Sequence, residues 1–372
     1  MQHVRDLSRD LRLLSELVLA QPDLGEPSTG SSCSELQSAG EVVSELNPQE
    51  VEELAGLAHS NHVIMRAFEP LRQILKASGE KQAADVAEDE LRRERMRIEL
   101  ALGFLREICS TLEEGGCPVI VIKSLDHWPD LGSDLDLYTD AAPAKVIDLM
   151  RSHFGATCAA RSWGDRLANK WNFIVPGLHE LVEVHSGRLG QTGEQTAITQ
   201  SLSSRARESQ VGEHVFRVPA PEDRIVISTL QRMYRHFYIR LCDIVDNARL
   251  LASGAVDVSY LHSLGLTAGL WDGIATYLTI ISEYVGAYRG EGVALPSFVT
   301  RAAKFGADQV HYRRNFVRIP ILPHSLTLYA SELTKLLLKG ELRNSLRLSL
   351  LPCLATAAAL EQKVTGSDKG IW

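Results

Sequence analysis

Gly132-Ser133-Asp134-Leu135-Asp136-Leu137-Tyr138 lies downstream of an apolar run, Cys117-Pro118-Val119-Ile120-Val121-Ile122, which ends in Lys123-Ser124. Alternation in a strand puts residues i and i+2 on one face, so Asp134 and Asp136 project side by side. Two carboxylates held that close repel unless cations sit between them. The arrangement suits hard, oxygen-loving metal ions and in-line phosphoryl chemistry. By itself Asp-x-Asp fits a plain exposed strand end just as readily, because the pattern is common.

The flanking sequence sharpens the choice. Thr139, Asp140 and Pro143 read as a turn, followed by a helix to about His153. Lys170 to Val175 then reads as a strand, Pro176-Gly177 as a turn, and Leu181-Val182-Glu183-Val184-His185 as the returning strand. Glu183 faces away from Val182 and Val184, so a hairpin beside the Asp-x-Asp strand brings up a third carboxylate. Three acids on adjacent strands are a far more specific signal than two. Glu180 is the competing acid, but it sits nearer the turn.

These stretches resemble the nucleotidyltransferase superfamily typified by DNA polymerase β, in which an apolar strand, a small-residue pair and a helix-loop segment precede Asp-x-Asp. Within it the chain looks most like the uncharacterised nucleotidyltransferases that carry Leu-Lys-Gly, Asp-x-Asp and a Glu-x-His strand. The matching residues are Ile122-Lys123-Ser124, Asp134-Leu135-Asp136 and Glu183-Val184-His185. His236, Arg240-Leu241 and Asp246 match further on, in the helix predicted from Pro221-Glu222-Asp223. The likeness runs from about residue 48 to about 290, with the specific motifs in its central third. One departure is Ser124, where the family has Gly. Gly lets the backbone approach a triphosphate closely, whereas Ser offers a hydroxyl to a phosphate oxygen.

The resemblance implies an α+β protein with a small mixed sheet between helical N- and C-terminal regions. It implies that Asp134, Asp136 and Glu183 are catalytic and hold two Mg²⁺ ions, with Mn²⁺ as a substitute. An NTP, ATP among them, is then the substrate. Its NMP passes to a hydroxyl-type acceptor, whether small molecule, peptide, protein or RNA end, with release of pyrophosphate. Lys123, Ser124, Ser133, Lys170, His185, His236, Arg240 and Asp246 are the residues expected to bind the nucleotide. Lys123 and Lys170 fit surface lysines at strand ends almost as well, and His185 fits a structural histidine. The rival reading is a catalytically silent nucleotide-binding or regulatory module on the same fold.

Composition sets the outer bounds. The chain has 372 residues, 45% hydrophobic and 23% charged, as expected of a globular protein with a sizeable core. A net charge of −8 argues against stable, sequence-blind binding of duplex nucleic acid. Basic residues nonetheless gather between Arg301 and Arg347, which suits either a solvated helix face or a phosphate-rich partner. The 6 cysteines form no Cys-x-x-Cys pair, so their spacing implies neither a zinc site nor a disulfide framework and makes a reducing cytoplasm the default. Arg5, Asp6, Arg9, Asp10 and Arg12 break up any signal-peptide pattern. Leu346 to Leu360 is interrupted by Arg347 and Pro352 and too short for a membrane span, so it reads as a packed helical segment. Oligomeric state is open.

The pattern along the chain predicts a helical region over 1–98 with a flexible 21–46 segment, a catalytic core over 99–218 and a helical region over 219–372. Leu7, Leu11, Leu14 and Val18 have helical spacing, Asn47-Pro48 opens a helix, and further helices follow over Ile64–Ala77 and Lys81–Glu113. All strands are expected within 117–218. From Pro221 a single long helix is expected, with an apolar stripe from Val226 to Ala248. Beside it runs a polar stripe of Arg232, His236, Arg240, Asp243 and Asn247, either solvated or walling the cleft. Helical patterning resumes over Tyr260–Tyr288 and His324–Glu361.

Overall fold

Asn47 sets the start of a helix by closing a reciprocal cap. Its side chain accepts from the Glu50 N–H at 3.0 Å, and its own N–H donates to the Glu50 carboxylate at 2.9 Å. In the computed structural model, which describes residues 7–19, 40, 42–190, 192–313 and 315–351, that helix is α2 (Pro48–Ser60). It follows α1 (Leu7–Leu19) and precedes α3 (Ile64–Ser78) and α4 (Lys81–Glu114). Most of the segment expected to be flexible, and everything after Leu351, lies outside the described residues. On α4, Arg92 and Asp89 pair on the exposed side, Arg93 and Arg97 reach the buried Glu90 and Glu94 three residues before them, and Ile98, Leu102, Leu105, Ile108 and Leu112 are buried. That buried stripe is the floor on which the sheet forms.

The sheet has the order β1-β2-β5-β4-β3, made of β1 (Val119–Val121), β2 (Asp134–Thr139), β3 (Thr157–Cys158), β4 (Lys170–Ile174) and β5 (Leu181–Ser186). Between β2 and β3 lies α5 (Pro143–Phe154), and the short α6 (Trp163–Leu167) precedes β4. β2 runs parallel to β5 and antiparallel to β1, so the sheet is mixed. Leu135, Leu137, Val182 and Val184 join the α4 residues, Val146 and Met150 in one apolar cluster. Alternation therefore turns Asp136, Tyr138, Glu183 and His185 to the other face. Ile120, Ile122 and Tyr138 belong to a second cluster, shared with the helices after residue 220. The acids thus face the C-terminal helical layer.

That layer comprises α7 (Thr196–Arg205), the hairpin β6 (Arg207–Val211)–β7 (His214–Val218), and α8 (Pro221–Thr229). The expected single helix over 221–248 is not continuous. It passes from α8 into a π-helical turn (Leu230–His236), reverses at Phe237 with φ 54°, forms β8 (Tyr238–Ile239), and resumes as α9 (Leu241–Ala252). Ile239 pairs with Val317 of β10 (Phe316–Arg318), which also pairs with β9 (His311–Arg313). Strands are therefore not confined to 117–218. A distant strand competes with local helical periodicity here and captures the Tyr-Ile pair. α10 (Val258–Ala268) and α11 (Trp271–Arg289) are parted at Gly269, whose φ of 77° stops a helix. α12 (Ser297–Ala302), α13 (Leu326–Leu338) and α14 (Leu342–Ser349) complete the described chain.

The polar stripe is not solvated. Arg232 and Asp243 form a buried ion pair at 2.6 Å, and Asn247 bonds the Asp243 carbonyl and the Tyr277 hydroxyl. Nor do the basic residues after Arg301 make a uniform solvated face. Lys335 bonds Asp272, and Arg347 donates to the carbonyls of Leu167 and Thr192. Among the described residues no helix is long and apolar enough to cross a membrane.

Candidate active site

Parallel pairing of β2 with β5 sets Asp136 opposite Glu183 and Tyr138 opposite His185. Suitable ligand atoms of Asp136, Glu183 and His185 all lie within 4.8 Å of one another. Asp134 starts β2 and is less enclosed. Burial, and then the charges of Asp136 and Glu183, push its carboxyl up to about 6. Asp136, Glu183 and His185 thus meet in one patch, with Asp134 at its more open end.

Lys123 reaches the same acids by an unusual backbone route. At the end of β1 it has φ 61° and ψ −56°, and the Ser124 N–H donates to the Ile122 carbonyl at 2.6 Å. This is a three-residue turn that a residue with a Cβ adopts at a cost. The turn aims the ammonium at Asp136, with Glu183 3.6 Å away. Burial alone would lower the Lys123 pKa, but Asp136 and Glu183 outweigh it and raise it. Local strain held by a strong charge contact is characteristic of functional sites.

Glu183 is gripped from two more sides. Its carboxylate takes Lys170 at 2.8 Å and His185 Nε2 at 2.8 Å. Burial works to raise its pKa, yet Lys123 and Lys170 prevail and hold it well below the usual carboxylate range. Lys170 also bonds Asp165 at 3.0 Å, and Asp165 caps α6 by exchanging bonds with Ser162. A helix start thereby fixes the lysine that fixes Glu183. Asp165 was missed in the sequence, although Ser162-x-x-Asp165 is a readable cap. Glu180, the competing acid, is bound by Arg97 at 2.5 Å and belongs to another ion-pair group.

The hydroxyl of Ser124 does not point out as an extra phosphate ligand. It accepts from the Asp136 N–H at 2.7 Å and donates to the Asp134 carbonyl at 3.0 Å, fully buried beneath the turn. The Ser124 side chain thereby pins the strand carrying both aspartates. Ser124→Ala leaves the Asp136 N–H buried and unbonded, and is expected to destabilise the fold by about 1–3 kcal/mol. Urea unfolding of the two proteins measures this, and equal midpoints and slopes would refute the pinning role.

The remaining nucleotide candidates divide. His236 packs beside Tyr238 at 5.4 Å between ring centroids. Its pKa is driven well below the ordinary histidine value by burial first, then by Arg235, Arg232, Arg240 and Lys123. It therefore sits neutral on the cationic flank of the acid patch, with Arg235, which no motif singled out. Arg240 lies over the rings of Tyr238 and Phe316 at 5.7 and 5.9 Å. Ser133 is exposed just before β2. Asp246 is not drawn to the three carboxylates: it is bound by Arg66 at 2.7 Å and by His127 Nδ1 at 2.5 Å. Arg66, His127 and Asp130 make this buried network, and their lone positions in helix or loop carried no motif to reveal it.

A family model described as "Uncharacterised nucleotidyltransferase" matches residues 47–286. No curated protein matches the chain. The matched span holds every residue placed at the acid patch.

Proposed function

The chain belongs to the uncharacterised nucleotidyltransferase family, and on that premise we propose a metal-dependent enzyme of the DNA polymerase β-like superfamily. It moves an NMP from an NTP to a hydroxyl-type acceptor. The acceptor oxygen bonds to the α-phosphorus, the bond to the bridging oxygen breaks, and pyrophosphate leaves. The observation that carries this reading is the Asp136–Glu183 pairing across β2 and β5, with Asp134 crowded beside it.

The residues suit hard divalent cations. Asp136 and Glu183 offer carboxylate oxygens and Asp134 an under-compensated one, the donor type that Mg²⁺ or Mn²⁺ takes alongside substrate phosphates. Bound there, such ions supply acidification of the attacking hydroxyl and neutralise charge on the triphosphate. The protein's own part is positioning. Lys170 and His185 keep the Glu183 carboxylate oriented, and the Ser124 hydroxyl keeps Asp134 and Asp136 in register. Lys123, now on Asp136, is the ammonium placed to transfer to a triphosphate, with Arg235 as the next charge on that flank.

Incubating the protein with α-labelled NTPs and a cell extract tests the reading and sorts acceptors by size. Metal-dependent label in a discrete product supports it, and none with any NTP overturns it. A second reading, a silent nucleotide-binding module, draws on one observation. The Lys123–Asp136 and Lys170–Glu183 pairs neutralise both acids from within the protein. Calorimetry separates the two. An active enzyme should bind NTP more tightly with Mg²⁺ than without, whereas a silent module of this kind should bind equally in both.

A further inference from the structure

Behind the loop that leads to Asp134, three segments far apart in sequence converge on another set of ligand atoms. His62 follows α2, His127 ends the 3₁₀ turn Ser124–His127, and Cys242 lies in the first turn of α9. One ligand atom from each falls within 4.8 Å of the others. We propose that His62, His127 and Cys242 bind one Zn²⁺ ion that braces the N-terminal helices, the loop before Asp134 and α9 together. This site is separate from the acid patch and does not depend on nucleotidyl transfer.

Geometry supports the assignment at each ligand. His127 Nε2 stands 3.8 Å from Cys242 Sγ. Tetrahedral zinc, with bonds of about 2.0 Å to nitrogen and about 2.3 Å to sulfur, places such atoms about 3.5 Å apart. The other nitrogen of His127 bonds the Asp246 carboxylate, the outer partner that zinc-binding histidines commonly have. Asp246 is itself anchored by Arg66. That arrangement fixes the ring and leaves Nε2 directed at the thiol.

His62 supplies the third ligand at a conformational cost. It ends α2 with φ 53°, a left-handed position where Gly or Asn is the usual choice. Its ring meets that of His127 edge to face, with centroids 5.6 Å apart. His62 Nδ1 is buried and has no hydrogen-bond partner among the described residues. The backbone around it is fastened to α9, since the Leu241 N–H donates to the Asn61 side chain at 3.1 Å and the Cys242 N–H to its carbonyl at 3.3 Å. Two imidazoles and a thiolate form a borderline-soft set that favours zinc over Mg²⁺, with water or a small anion in the fourth position. On binding, the Cys242 thiol loses its proton to solvent.

The test uses the full chain, stripped with a chelator and titrated with Co²⁺, in parent and Glu183→Gln forms so that the acid patch is accounted for. One equivalent should give a thiolate-to-cobalt charge-transfer band and the strong visible bands of a four-coordinate ion, both displaced by one equivalent of Zn²⁺. Cys242→Ser should lose the charge-transfer band, and Asp246→Asn should keep it with affinity weakened by about 10–100-fold. If Cys242→Ser is unfolded by circular dichroism, His62→Asn is read instead and should lose the four-coordinate spectrum. Absence of the charge-transfer band in the parent, or full persistence in the folded ligand variant of the feature it is expected to lose, overturns the proposal.

Discussion

Asp136→Asn is expected to lower nucleotidyl transfer by more than about 100-fold, because even partners that merely orient a metal ligand are worth about 10–100-fold. Asp136 is more than an orienting group in this reading. It faces Glu183 across the β2–β5 pair and lies at the centre of the acid patch. The fold should survive the change. Asn still accepts a bond from Lys123, and removing one negative charge relieves Asp134, whose carboxyl is raised to about 6 by burial and by Asp136 and Glu183. Steady-state transfer from an α-labelled NTP, read beside far-ultraviolet circular dichroism, gives both answers. Parental turnover in a folded variant would remove Asp136 from the chemistry and with it the two-metal reading.

Arg66→Met is expected to cost about 3–5 kcal/mol of stability, the range for breaking a buried ion pair from one side. Arg66 is 2% exposed and serves several groups at once. It donates to the carbonyls of His127 and Trp128 at 2.5 and 2.9 Å and pairs with Asp246 at 2.7 Å and Asp130 at 3.5 Å. Met fills similar space but leaves these acceptors facing apolar surroundings. If uncompensated charge causes the loss, adding Asp246→Asn to Arg66→Met should recover part of it. Urea unfolding of the parent, both single variants and the double variant measures this, and strict additivity would sink the explanation.

The same network gives a pH dependence with a defined sign. Burial outweighs Arg66 and raises the Asp130 carboxyl to about 7, above its unfolded value. Between roughly pH 4 and 7 the folded chain holds a proton that the unfolded chain has lost, so this group's contribution falls as pH rises through that window. Asp130→Asn still accepts the Met65 N–H and should make stability less steeply falling with pH there.

What the sequence determined by itself was local. Period-two alternation put Asp134 and Asp136 on one face and Glu183 opposite Val182 and Val184, since that depends only on neighbouring backbone. The Asn47–Glu50 cap was legible for the same reason, its two residues being three apart. The helical stretch from Pro221 misled because local periodicity says nothing of Val317, the distant partner that draws Ile239 into a strand. Tertiary structure alone decided which group faces which. The β2–β5 register set Asp136 against Glu183, a left-handed turn sent Lys123 back onto them, and the Ser124 hydroxyl went to β2 instead of outward. Packing also brought Arg66, His127 and Asp246 together. Ion pairs and hydrogen bonds act over a few ångströms, so groups separated by scores of residues find each other only when helices and sheet have packed.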